Sequence, residues 1–183
     1  MDRRQRKTRE AIFASFIDLL TEKDFNAITV SEIIDKADVG RATFYSHFET
    51  KEFLLKALCE ELFCHIFDSL EEAQSQHKHI FHCEVREPPF LHLFRHLQRN
   101  DNNVLKLLSS GNNELFLRYF RLNLQKIVVN QLPLFEERRS DVLPESFWIN
   151  HIISVFVETV RWWIGNGMKE SPEKLAEYFS ATI

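Results

Sequence analysis

Thr29–Thr50 reads TVSEIIDKADVGRATFYSHFET, and its division into two short helices decides the fold. Thr29 can cap a helix whose third residue, Glu32, reaches back to the Thr29 amide, a T-x-x-E capping box. Val30, Ile33, Ile34 and Ala37 follow at helical spacing and make one buried stripe. Asp38 then stands where a left-handed turn residue is needed, a conformation Asp tolerates better than most. Gly40 opens a second helix as its N-cap. Phe44 and Phe48, four apart, point toward a core and leave Arg41, Ala42, Thr43, Tyr45, Ser46 and His47 on the other surface. That face carries cationic, hydroxyl and phenolic groups, which suit phosphate oxygens and base edges in a major groove. The layout is a helix-turn-helix.

Working outward, Arg3, Arg4, Arg6, Lys7 and Arg9 place five cations in seven residues, just before the first amphipathic helix. Next to a recognition-type helix, such a run reads as an arm that neutralises phosphates. The first helix is expected over residues 6–21, with Ile12, Phe13, Phe16, Ile17 and Leu20 as its apolar stripe. A fourth begins after Thr50 and runs to about Ala73, long enough to connect a head to a body. Lys51 lies at its start, where a phosphate would also meet the positive helix end.

The 183 residues include 17 Phe and are 44% hydrophobic, enough for a sizeable core. The net charge of −4 does not suggest a nucleic-acid binder, but its distribution does not oppose one. Residues 1–56 hold ten Lys/Arg against ten Asp/Glu, so the acidic excess lies in the remainder, away from the proposed DNA face. No apolar run is long enough for a membrane span, and the charged N-terminus lacks a signal-peptide core. Cys59, Cys64 and Cys83 do not form a disulfide framework, which makes a reducing cytoplasm the expected compartment.

Four Gly, five Pro and no persuasive strand-like alternation make the chain all-α. Residues 74–89 are polar and His-rich and read as a loop ending in Pro88-Pro89. Further helices are expected at about 90–99, 101–109, 112–131, 144–166 and 172–182, the last started by Ser171 and Pro172. Helix 144–166 is apolar almost all round, so opposite sides must be covered, either by a second copy of the chain or by the protomer's own helices around a central core helix. A narrow polar line, His151, Ser154, Glu158 and Arg161, crosses it. It is either a ladder along a helix seam or the edge of an effector pocket. Phe94, Phe116, Tyr119, Phe120, Trp148, His151 and Glu158 are candidate linings of such a pocket, although aromatics at this spacing also serve as plain core.

The stretch from Arg9 to Leu58 resembles the DNA-binding domain of TetR-family transcriptional regulators. Ala11, Phe16, Phe25, Thr29, Val30, Ile33, Ala37, Val39, Thr43, Tyr45, Phe48, Lys51 and Leu54 carry the likeness, densest over TFYSHFETKE at 43–52. Asp38 stands where the family usually has Gly, and Gly40 where it often has Ser or Thr. The resemblance implies contacts with double-stranded DNA from Thr29, Arg41, Ala42, Thr43, Tyr45, Ser46, His47 and Lys51. It also implies a homodimer built by a four-helix bundle of the last two long helices, with Phe147, Val155, Trp162 and Phe179 at the interface. Phe116-Leu117-Arg118-Tyr119-Phe120, Phe147-Trp148-Ile149 and Arg161-Trp162-Trp163-Ile164 further resemble a regulatory-domain subgroup associated with regulators of dihydroxyacetone kinase operons.

The expected organisation is a DNA-binding domain at 1–49 and an effector-binding and dimerisation domain at 50–183. The expected function is a repressor controlled by a small-molecule or protein effector. An activator answering to a protein partner, or a small all-α enzyme or metal protein, are the alternatives. No nucleophile elbow, phosphate loop or dinucleotide fingerprint occurs, and no cofactor is expected. Cys64, His65, His77, His79, His82 and Cys83 are ligand types without a recognised ligand spacing, so no metal is expected either.

Overall fold

The structure, a computed structural model, describes residues 3–70, 88–99, 108 and 114–183. Among them the regular elements are all helical, as the sequence implies. The head consists of α1 (Arg3–Glu22), α2 (Val30–Ala37) and α3 (Arg41–His47), with a 3-10 turn at Phe25–Ala27. α4 (Lys51–Leu70) leads into a body of α5 (Pro89–Arg99), α6 (Glu114–Gln131), α7 (Glu145–Gly165) and α8 (Pro172–Ala181). Two 3-10 turns, Leu132–Leu134 and Glu136–Arg138, separate α6 from α7. The helix expected at 101–109 falls outside the described residues, apart from a buried Leu108. So do the His-rich stretch from 74 to 87 and the linker 111–113.

α1 packs against α2 and buries Ile12, Phe13, Phe16, Leu19 and Leu20. Ile33, Phe44, Phe48, Leu54 and Leu58 complete that core from the next three helices. Each fully buried side chain of this size contributes roughly 1.5–3 kcal/mol. α1 starts at Arg3 rather than Arg6, so the basic leader forms the first turns of a helix. The Phe53 amide donates to Thr50 Oγ1 (3.1 Å), which confirms Thr50 as the cap of α4. α4 lies against α5 and α6, and Phe63 meets the Phe120 ring edge-on at 5.1 Å.

Around α7 the body is largely aromatic. Phe94 and Phe156 lie 4.7 Å apart between ring centroids, Phe90 and Phe179 4.8 Å, and Phe156 and Phe179 5.5 Å. The assignment of Phe179 to a dimer interface is therefore corrected. It is 1% exposed inside its own protomer. α8 has ten residues and one apolar stripe, Leu175 and Phe179, which it turns onto α5 and α7. Beyond α7 the chain reverses at Gly167, whose φ of 68° favours glycine, and the Trp163 indole donates to Glu170 O (2.9 Å).

Candidate nucleic-acid interface

The joint between α2 and α3 forms as its residues dictate. Thr29 Oγ1 accepts from the Glu32 amide (3.3 Å), while Glu32 Oε2 accepts from the Thr29 amide (2.8 Å), completing the capping box. Lys23 also donates to the Glu32 carboxylate, and this bond is the main reason its pKa falls from 4.5 to about 2. Asp38 ends α2 in the left-handed region, φ 51° and ψ 49°, and the Val39 amide donates back to Ile34 O (3.2 Å). Gly40 caps α3 in ordinary extended backbone, φ −72°. A Cβ there would meet only Thr43 Oγ1, at 3.6 Å. Asp38 absorbs the strained conformation, so Gly40 is not held by steric need.

α3 is fixed from below. Phe44 and Phe48 are buried, and Phe48 meets Phe13 of α1 edge-on at 5.4 Å. The Arg9 guanidinium sits 4.8 Å from the Phe13 centroid and 4.9 Å from that of Phe48, a cation–π clamp tying α1 to α3. Above this base, Arg41, Ala42, Thr43, Tyr45 and Ser46 are exposed and His47 is half-buried. Tyr45 keeps 46% of its surface open. Arg41 Nη2 donates to Ser31 Oγ on α2 (3.1 Å), and Ser46 Oγ donates to Thr43 O (2.7 Å).

Beside α3 lies a cleft of about 430 Å³ lined by Arg4, Gln5, Thr8 and Arg9 of α1 and by Thr43, Ser46 and His47 of α3. Two α1 members, Gln5 and Thr8, were missed from sequence. Their signal was the helical spacing with Arg4 and Arg9 once α1 is extended to Arg3. Lys51 belongs elsewhere. Its ammonium donates to Ile28 O (2.8 Å), Phe25 O (3.0 Å) and Asn26 O (3.4 Å), and stands 4.6 Å above the Phe25 ring. It clamps the 3-10 turn before α2, a positioning role that the reading of Lys51 as a phosphate ligand did not include.

In the body, the seven pocket candidates are divided among different places. Phe94, Phe116 and Phe120 are core residues, with Phe116 and Phe120 5.9 Å apart. The half-buried Tyr119 passes its carbonyl to Asn123 Nδ2 (3.0 Å). Trp148 and His151 stack on each other at 5.3 Å. Glu158 faces outward, paired with Arg161 (3.0 Å), and lines a groove of about 670 Å³ with Ser154, Val155, Trp162 and Tyr178. Arg161 Nε donates to Leu108 O (3.2 Å) and Arg121 Nη1 to Ser154 Oγ (3.3 Å), so part of the polar line is consumed within the protomer. On the same outer side of α7, Phe147 is 55% and Trp162 49% exposed, with Val155 half-buried.

Residues 12–58 match the model described as bacterial regulatory proteins, tetR family. Residues 84–183 match the model of a transcriptional regulator C-terminal region. A TetR transcriptional regulator of known structure from Streptococcus agalactiae is 36% identical, with a TM-score of 0.74, over 99% of this chain and 96% of that one. YxbF of Bacillus subtilis, an uncharacterized HTH-type transcriptional regulator, is 43% identical over 76 residues. The match covers 41% of this chain, which spans only 20% of that relative. DhaS of Lactococcus lactis, a dhaKLM operon transcriptional activator, is 26% identical over 73% of this chain and 65% of its own length.

Proposed function

The chain belongs to the TetR family of DNA-binding transcriptional regulators, and we propose that it is a repressor that binds a pseudo-palindromic operator as a homodimer. One observation carries the DNA half: the exposed polar face of α3 lies beside the basic start of α1, on an aromatic base that fixes its direction. Residues 1–49 act as the DNA-binding unit and residues 50–183 as the regulatory and dimerisation unit. Each protomer lays α3 in a major groove, with Arg41, Thr43, Tyr45, Ser46 and His47 toward bases or phosphates, Ala42 toward a thymine methyl, and Arg4 and Arg9 beside the backbone. Thr29, its hydroxyl held in the capping box, sets the entry of α2. The dimer forms through the outer side of α7, where Phe147, Val155 and Trp162 offer the aromatic and apolar surface that interfaces favour. A small molecule or a protein partner received by the body releases the DNA.

A second reading, activation, is favoured by the similarity to DhaS, which is named an activator. Fluorescence anisotropy on DNA flanking the gene tests the DNA half. Arg41→Ala and Tyr45→Phe should each weaken specific binding by roughly 1–3 kcal/mol where a base contact is lost, with the fold intact by circular dichroism. Unchanged affinity in both variants removes α3 from the groove. Reporter expression in cells with and without the gene gives the sign of regulation.

A further inference from the structure

Between α6 and α7 lies a groove of about 420 Å³ that shares no lining residue with the DNA cleft or with the groove on the outer side of α7. Leu117 and the buried Ile153 give it an apolar floor. Arg118, Arg121 and Gln125 line it from successive turns of α6, and Asn150 lines it from α7. Arg121 is half-buried, and its Nη1 donates to Ser154 Oγ on α7 (3.3 Å). That neutral partner orients the guanidinium without offsetting its charge. Arg118 is exposed and has no ion-pair partner among the described residues. Glu114, the one acidic residue along the groove, stands at the start of α6, where the positive helix end favours it. Two like charges one turn apart thus face the same groove, and like charges at this spacing repel.

We propose that this groove binds a compact organic dianion, whose carboxylate or phosphoryl oxygens are held by Arg118 and Arg121. A guanidinium presents its N–H donors in a planar fork that matches either oxyanion. Side chains one helical turn apart have β-carbons about 5–6 Å from each other, close enough to share one small ligand. Arg121 keeps donors beyond Nη1, and its bond to Ser154 reduces the freedom it would lose on binding. The Gln125 and Asn150 amides can donate to or accept from a hydroxyl or carbonyl of the ligand, while Leu117 and Ile153 cover its carbon skeleton. The volume lies at the small end of ligand pockets and suits a compact metabolite. The site gives the body a place to receive an effector. Ser154 also lines the outer groove of α7, so an anion drawing on Arg121 acts one hydrogen bond from the proposed dimer surface. That consequence rests on the regulatory reading of the body, whereas the binding itself does not.

Calorimetry on the full-length protein at low ionic strength tests this, with succinate, inorganic phosphate and neutral succinamide as probes. Proton–nitrogen spectra of the arginine Nε–H groups locate the binding. The expected result is one succinate or one phosphate per protomer, shifts at Arg118 and Arg121, and no binding of succinamide. Saturation by succinate alone assigns the site to carboxylates, and saturation by phosphate alone assigns it to phosphoryl groups. Arg118→Gln and Arg121→Gln should each weaken binding by about ten- to a hundredfold, the range for a charged hydrogen bond. If Arg121→Gln fails to fold, Arg118→Gln, which alters only an exposed side chain, decides together with the spectra. The proposal is overturned if neither anion binds, if succinamide binds as well as they do, or if either folded variant keeps the parent's affinity. Shifts at Arg4 and Arg9 in place of Arg118 and Arg121 would put the anion in the DNA cleft and overturn it too. None of these outcomes bears on α3, whose role is read from DNA binding, and a protein that took up the anion without binding DNA would keep this site.

Discussion

Lys51 shows how the structure moves a single residue from one role to another. Its position at the start of α4 is open to view in the sequence, and so is the positive charge. The carbonyls it meets are more than twenty positions upstream and converge only once the 3-10 turn has formed. Lys51→Ala should therefore destabilise the head by about 1–3 kcal/mol, the cost of leaving part-buried carbonyls without a charged donor, read from urea unfolding. DNA affinity should fall through that loss while the salt dependence stays unchanged. Arg4→Ala, by contrast, should reduce the slope of log K against log salt by about 1. A reduced slope in Lys51→Ala returns that lysine to the phosphates. Glu32 yields a second prediction. Its carboxylate is held at about 2 by Lys23 and the Thr29 amide, below an ordinary value of 4.5. The unfolded chain binds the proton more tightly, so the stabilisation is complete above about pH 4.5 and is lost as pH falls toward about 2. Glu173, lowered to about 2 chiefly by Arg95, titrates in the same window. Glu32→Gln keeps a capping amide but no charge, so its melting temperature should trail the parent's at neutral pH and converge with it by about pH 2. A gap independent of pH would mean that shape, and not charge, makes the cap.

At the scale of the helix, existence and ends were legible where local chemistry sets them. The capping box at Thr29, the left-handed Asp38 and the Ser171–Pro172 start all stand as the residues imply. Faces were less legible, because a stripe says that a side is buried and not what buries it. α7 illustrates the limit. Its seven buried side chains from Trp148 to Trp163 face α5, α6 and α8, while Phe147 and Trp162 stay outside. An almost all-round apolar sequence gave no way to divide the two sets. Phe179 was misplaced for the same reason, and Phe94, Phe116 and Phe120 became core once Phe156 was seen among them. The outer side of α7 carries the dimer prediction. Trp162→Glu, half exposed and 6.0 Å from Tyr178 on α8, should leave the protomer core intact. Sedimentation should then give monomers with native helicity and weakened operator binding. A dimer that survives both Trp162→Glu and Val155→Glu must use another face.

Across the whole molecule, α4 is the element through which body and head can speak. Leu54, Leu55 and Leu58 are buried toward its start, and Phe63 reaches the Phe120 ring of α6. α6 in turn packs on α7, which carries the proposed dimer face. A tilt of α4 in each protomer would change the separation of the two α3 helices while the dimer stays closed. DNA is unforgiving of that change, since half-sites one helical turn apart are spaced by about 34–36 Å. An effector would act by preferring the spacing that does not fit, and a preference of about 1–3 kcal/mol would give useful switching. Neither the acidic body nor the near-neutral head has to change charge for this. Spin labels at Glu49, exposed just beyond α3, measure the separation across the dimer with and without an inducing ligand. The distance distribution should shift by a few ångströms when DNA is released, and Phe63→Ala, which removes the contact with α6, should blunt the shift. If the inducer releases DNA while that distribution stays in place, α4 is a strut and the signal reaches α3 by another route.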